Sequence, residues 1–426
     1  MEFVLLLLAL VGHGFLWAAL FNHTHSTGWP RRIVDAVTDA GFVCAVLILL
    51  AFGLCFAEHG WDALAGAGPI AWPGRLYLGL CCVAGAAAVV RWVRRRLFGR
   101  PPAVLRHHRS RLLDLRPSSG HPQSSSHSQS SSHSQSSLHP HLAPGDSPGA
   151  DPPKIDRPRP KHGRSFLLRL PGNQILQLDV SERAIEVPRL APALDRLTIV
   201  HLSDLHFTGR IPRAFFDEVV RLANQFEPDL VAVTGDLIDR SPSIDWIPET
   251  LGRLTSRYGA YFVLGNHDLW VDTDRLRPTL ADSGLVDLGG RRLEIRVRGE
   301  PVILAGNGLP WIPPAPEPEH APPRFSEGGP LRIALAHTPD RLAWARANDV
   351  DLLLAGHTHG GQIRLPLIGP ILSATRLGAK YSSGLFHVPP TIMHVTRGVS
   401  ARIPVRLNCP PELAKLVLRA PLRPTA

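Results

Sequence analysis

The chain of 426 residues is nearly devoid of cysteine outside its apolar stretches. Cys44, Cys55, Cys81 and Cys82 lie in apolar runs, which leaves only Cys409 for the rest of the sequence. No disulfide framework can therefore staple the polar part, as expected of a reducing compartment. Clustered thiolates are absent too, which argues against a structural zinc site. The first residues hold no Arg or Lys, Glu2 being the only early charge. The apolar run at 3–21 thus lacks the basic start of a secretory signal peptide and reads as a retained membrane helix. Basic excess is likewise missing from the C-terminal half. The net charge is +10, yet residues 91–169 hold fifteen Arg and Lys against Asp114, Asp146, Asp151 and Asp156, a surplus of 11 that leaves the remainder at −1. A basic linker beside a membrane explains this distribution and disfavours nucleic acid as a partner.

Long hydrophobic runs are present instead. Beyond 3–21, residues 41–57 are uncharged, and a third run begins at Leu76 and reaches 93 with Trp92 as an interfacial anchor. The expectation is a transmembrane region over 1–98 with about three helices, the alternative being a buried soluble hairpin. Arg31 and Arg32 mark the first loop and Arg91, Arg94, Arg95, Arg96 and Arg100 follow the third run, while 58–74 has neither Arg nor Lys. This asymmetry predicts a multi-pass membrane protein whose first loop and C-terminal part are cytoplasmic.

Residues 99–164 read as a disordered Ser/His/Pro/Arg-rich linker. Between His121 and His141 a six-residue unit repeats (HPQSSS, HSQSSS, HSQSSL), with too little apolar surface to offset the entropy of ordering. It is a flexible spacer, with metal scavenging by His121, His127, His133 and His139 as the alternative. From 165 to 426 short strand-like runs alternate with helical spacing, at 197–202, 230–233, 261–264, 302–305, 333–336 and 352–354, which predicts an α/β domain. The prolines of 310–330 make that stretch a loop.

Nearly every such run ends in a short polar group. Ser203-Asp204-Leu205-His206, Gly235-Asp236-Leu237-Ile238-Asp239, Gly265-Asn266-His267-Asp268, His337-Thr338-Pro339-Asp340 and Gly356-His357-Thr358-His359-Gly360-Gly361-Gln362 follow five of them. Sites in α/β sheets form beyond the carboxyl ends of strands, so five groups can converge. Carboxylate, imidazole and amide oxygen suit Mn, Fe, Zn or Ni, and two ions at close range need a shared carboxylate.

D-x-H, G-D-x-x-D, G-N-H-D and G-H-x-H, with a lone His before the last, resembles the calcineurin-like metallophosphoesterase superfamily. GHTHGGQ, with Arg397-Gly398 and Pro404-Val405-Arg406, resembles its bacterial membrane-associated branch. The resemblance covers 197–418 and implies the four-layer α-β-β-α sandwich of that family, here preceded by a transmembrane helical region. It also implies that Asp204, His206 and His359 bind a first divalent metal ion and Asn266, His337 and His357 a second, with Asp236 bridging. A hydroxide activated by the two cations would attack phosphorus in line. His267 would stabilise or protonate the leaving oxygen, with Asp268 orienting it. Asp239 is either a supporting partner or a turn residue.

The implied function is a membrane-anchored phosphoesterase acting on a mono- or diester. Its alternatives are a pyrophosphate hydrolase on a lipid-linked nucleotide sugar (UDP-diacylglucosamine type) or a non-catalytic phosphate or metal sensor, whose hallmark, a lost ligand, is not seen. Gly306-Asn307-Gly308 stands where many relatives carry an acidic pair, which bears on substrate recognition. His201 and His394 fit no motif position and read as structural, and Trp270, Trp311 and Trp344 as packing. Leu365, Pro366, Leu367, Ile368, Ile371 and Leu372 read as sheet core, or alternatively as a surface facing acyl chains.

Overall fold

The computed structural model describes residues 2–60, 72–98, 104–116, 166–316 and 329–421. The histidine repeat and the rest of the stretch 117–165 lie outside the described residues, as does most of the proline run after 316.

Three long apolar helices come first: α1 (Glu2–His25), α2 (Arg31–His59) and α3 (Trp72–Phe98). Each is long and apolar enough to cross a membrane. Their apolar side chains face outward, Leu54 being 71% exposed, as the hydrocarbon of a bilayer requires and water would not tolerate. Helices α1 and α3 cross at Gly12 and Gly85. A Cβ at Gly12 would lie 1.7 Å from the Cys81 carbonyl oxygen, so only glycine lets the two backbones meet there.

Two sheets follow. The first is seven-stranded, in the order β1 (Leu105–Asp114), β2 (Gln177–Glu186), β15 (Glu412–Arg419), β3 (Leu197–Leu202), β4 (Leu230–Thr234), β5 (Ala260–Val263) and β6 (Leu285–Asp287). The second is six-stranded, in the order β13 (Gly384–Val388), β14 (Thr391–Val395), β10 (Leu352–Ala355), β9 (Leu331–Ala336), β8 (Glu300–Asn307) and β7 (Arg292–Val297). Strands β11 (Arg364–Leu365) and β12 (Gly369–Pro370) form a separate small hairpin. From β3 to β6, and from β8 through β9 and β10 to β14, neighbours run parallel.

The layering follows from strand alternation. Ile199, Ala232, Leu352 and Leu354 point into the core between the sheets, where Val263 and Leu304 also pack. Val200, Val231 and Val233 point the other way, onto α4 (Arg213–Asn224) and α5 (Thr273–Asp282) through Phe216, Val219 and Leu280. Leu353 and Ala355 meet α6 (Leu342–Ala347) through Leu342 and Ala345. Strands covered on both faces read as continuous apolar runs, which is why the pattern was visible in sequence. The result is the expected α-β-β-α sandwich.

Two expectations change. Residues 105–114 fall within the stretch read as linker, yet they form edge strand β1, antiparallel to β2 from Leu113↔Leu178 to Leu105↔Ile185. An edge strand is held by main-chain hydrogen bonds, so the basic LRHHRSRLLD needs no apolar pattern, and its charge discourages further pairing. The second change concerns 365–372: Leu367 is 74% and Ile368 57% exposed, so these residues do not fill the sheet core. Ile371 and Leu372 are exposed as well.

Candidate metal centre

The polar groups after β3, β4 and β5 meet those after β9 and β10 across the gap between the two sheets. Backbone bonds tie four of the five turns in pairs: Asp204 N–H donates to Gly235 O (2.9 Å), His206 N–H to Asp236 O (2.9 Å) and Gly356 N–H to His337 O (2.9 Å). Asp204, His206, Asp236, His357 and His359 all have positive φ, a costly conformation for residues with a Cβ. Strain of this kind persists where the surrounding structure imposes it, and clusters at functional sites. Gly265 and Gly356 permit close approach, since a Cβ would fall 2.2 Å from Asp236 Oδ1 at the first and 2.6 Å from Asp204 Oδ2 at the second.

Seven side chains named from sequence come together in two sets that share Asp236. On one side, His206 Nε2 lies 3.1 Å from His359 Nε2 and 3.7 Å from Asp236 Oδ2, and His359 Nε2 lies 3.6 Å from Asp204 Oδ1. On the other, His337 Nε2 lies 3.2 Å from Asp236 Oδ2, 3.2 Å from Asn266 Oδ1 and 3.1 Å from His357 Nδ1. Asp204, Asp236, His206, His337 and His357 are buried, whereas Asn266, His267 and His359 keep some exposure and form the open side.

The outer ring nitrogens decide what the inner ones can do. His337 Nδ1 faces the Thr234 carbonyl at 2.7 Å and His206 Nδ1 faces Asp239 Oδ2 at 2.9 Å. Oxygens of this kind accept, so Nδ1 carries the hydrogen and Nε2 turns a lone pair inward. With the rings neutral, lone pairs of imidazole, carboxylate and amide oxygen converge with no side-chain donor between them. Such an arrangement repels itself unless a cation lies at its centre, so the donor set fits metal ions. Electrostatics agree. Burial depresses His337, yet Asp236 and Asp204 hold it up at about 9, so without a cation its Nε2 keeps a proton facing the acidic pair, in the place a cation would take. Burial raises Asp204, while His337, His267 and His206 overcome burial to keep Asp236 well below the ordinary carboxylate range.

His267 stands at the open side. Its backbone N–H donates to Asp236 Oδ1 at 2.8 Å, and its Nδ1 meets the carboxylate of Asp239. Burial lowers its pKa, and Asp236 and Asp239 offset part of that. The expected orienting role of Asp268 is not what the contacts give. Asp268 Oδ1 accepts from Leu237 and Ile238 N–H (2.8 and 3.0 Å) and Oδ2 from Gly265 N–H (2.8 Å), so it braces the turns that carry Asp236 and Asn266. Burial, reinforced by Asp236, pushes its carboxyl up to about 7. The residue that holds His267 is Asp239, which also holds His206. The D-x-x-D spacing after Gly235 was the signal for it.

Arg406 went unassigned from sequence. It is fully buried, and its guanidinium donates to the His359 carbonyl (3.0 Å) and to Ser400 O, fixing the loop that presents His359. Trp270 and Trp311 prove to flank the centre, the first with its ring 3.6 Å from that of His267, the second 4.8 Å from that of His357. His201 and His394 stay outside, joined Nδ1 to Nδ1 at 2.9 Å behind the site.

A family model for calcineurin-like phosphoesterases matches residues 197–361. Phosphodiesterase YaeI of Escherichia coli is 32% identical over 225 residues, spanning 52% of this chain and 81% of that one. The chain belongs to the calcineurin-like phosphoesterases. The phosphoesterase is also 34% identical over 258 residues to a transmembrane protein with metallophosphoesterase domain of Bos taurus, across 55% of this chain and 56% of that one. An uncharacterized metallophosphoesterase of Bacillus subtilis, YkuE, is 28% identical over 258 residues and is covered over 86% of its length. Membership makes this phosphoesterase a metal-dependent hydrolase of phosphoester bonds, with three membrane-type helices ahead of its catalytic domain.

Proposed function

We propose that the chain is a multi-pass membrane phosphoesterase that holds two divalent ions on either side of Asp236. Asp204, His206 and His359 bind one ion and Asn266, His337 and His357 the other, Mn, Fe, Zn or Ni being compatible with this thiolate-free set. Bound there, the pair supplies charge neutralisation for the phosphate and a water made acidic enough to attack phosphorus. The protein's own part is geometric and protic. Asp239 fixes His206 and accepts the Nδ1 hydrogen of His267, so that in the imidazolium form, which Asp236 and Asp239 favour, Nε2 donates to the leaving oxygen. Asp268 keeps the Asp236 turn rigid through three backbone N–H groups. The observation that carries this reading is the convergence of inward lone pairs on Asp236 Oδ2.

Metal analysis of the purified chain with a phosphoester panel tests it. About two equivalents of metal are expected, with turnover lost in Asp236→Asn; retained turnover in that variant would show that the bridge is misassigned.

The catalytic unit comprises 165–426 together with strand β1. Thr27 O, in the loop after α1, accepts from Trp311 Nε1 at 2.9 Å, so that loop lies on the catalytic side. It leads directly to Arg31 and Arg32, which the positive-inside rule assigns to the cytoplasm, and the catalytic domain with it. A lipid-linked phosphate or diphosphate is the favoured substrate class. Supporting it are the exposed Leu367 and Ile368 and the bond from Trp92 Nε1 of α3 to Leu367 O at 2.9 Å, which hold this apolar loop against the membrane helices.

A further inference from the structure

The open side of the metal centre leads into a cleft of about 470 Å³, and part of its lining comes from the membrane region. Trp29, from the loop between α1 and α2, and Arg31, the first residue of α2, line it together with His267, Trp270, Arg402 and Ile403. This loop and the end of α1 are fastened to the catalytic domain at further points besides Trp311. Arg376 Nε donates to Ser26 Oγ at 3.2 Å, and Ser373 N–H donates to Asn22 Oδ1 at 2.7 Å.

The cleft combines two chemistries. The Arg31 guanidinium lies 4.0 Å from the centre of the Trp270 ring and that of Arg402 lies 5.0 Å from it, so two cations share the aromatic beside His267. Asp35 pairs with Arg31 Nε at 3.2 Å and holds that side chain in place. Trp29 and Ile403 leave 49% and 56% of their surface exposed in the same cleft. Cationic and apolar groups sharing one cleft beside the reacting centre match one kind of molecule: a phosphoester with an anionic head and an apolar arm.

We propose that the loop between α1 and α2 and the first turn of α2 form a specificity element of the active site, with Arg31 contacting the anionic head and Trp29 the apolar arm of an amphiphilic phosphoester. This rests on the phosphoesterase reading and deepens it, because the membrane helices then shape the site as well as anchoring it. Both residues are exposed, so replacing them leaves the packed core untouched.

The test uses the full chain in lipid nanodiscs, loaded with metal, and two esters that share a leaving group: ethyl and hexadecyl 4-nitrophenyl phosphate. The wild-type chain should prefer the hexadecyl ester in kcat/KM. Trp29→Ala should reduce that preference about tenfold, and Trp29→Phe, which retains an aromatic face, should keep most of it. Arg31→Gln should raise KM for both esters more than it lowers kcat, a split that a merely structural role would not produce. A Trp29→Ala preference within twofold of wild type, or unchanged KM values in Arg31→Gln, overturns the proposal. A wild-type chain that hydrolyses neither ester overturns the phosphoesterase reading, and this inference with it.

Discussion

Two buried histidine clusters lie within one fold and behave in opposite ways. In the first, ring nitrogens of His206, His337 and His359 face Asp204 and Asp236, with His357 against His337, and only a proton or a cation relieves them. In the second, directly behind it, Arg183 donates to Glu412 at 2.7 Å and contacts His394 Nε2 at 3.0 Å. His394 Nδ1 meets His201 Nδ1 at 2.9 Å, and His201 Nε2 meets Thr234 Oγ1 at 2.8 Å. Donors and acceptors alternate along that chain, so it is complete as it stands. Residue type and burial are alike in the two clusters. What separates a ligand histidine from a structural one is whether its neighbours already supply the missing partner. Thr234 joins the clusters, its carbonyl facing His337 and its hydroxyl His201.

That contrast is broken most severely at the shared carboxylate. Asp236→Asn should lower turnover by about 10³-fold or more, measured as kcat/KM on a soluble ester, because it removes charge from both metal positions at once. His267→Ala should cost about 10²–10⁴-fold while metal content, read by mass spectrometry, stays near wild type. Asp239→Asn, which loosens both His206 and His267, should weaken metal affinity or activity about 10–100-fold in a chelator competition.

The second cluster should respond in stability alone. His394→Ala removes the partner of His201 Nδ1 and one of the partners of Arg183, and should cost about 1–3 kcal/mol in denaturant unfolding, with metal content unchanged. Acid should find the same cluster. Burial pushes His201 down to about 3 from its ordinary 6.5. The unfolded chain therefore binds the proton more readily, and this contribution, complete above about 6.5, is lost as pH falls towards 3. A melting series over pH should show that slope, and His201→Gln should flatten it.

Much of this was legible in sequence because strands covered on both faces write apolar runs, and five of the six runs ended in a short polar group. Within those groups the resemblance to metallophosphoesterases singled out seven residues from Asp204 to His359, and the structure brings them together. What stayed hidden depended on direction or on distant chain. Asp268 neighbours His267 in sequence, but its side chain turns back to backbone N–H groups, and only coordinates reveal that Asp239 reaches the imidazole. Strand β1 lacks an apolar pattern because an edge needs none. The meeting of Trp29 and Arg31 with the cleft links positions more than 200 residues apart in the chain, such as His267, and no local spacing encodes it.

X-ray absorption at the metal edge of the loaded enzyme tests the central claim most directly. The account predicts nitrogen and oxygen neighbours only, with a metal–metal vector of about 3.5–4 Å. A single isolated ion supporting full turnover, or a sulfur neighbour, would contradict it.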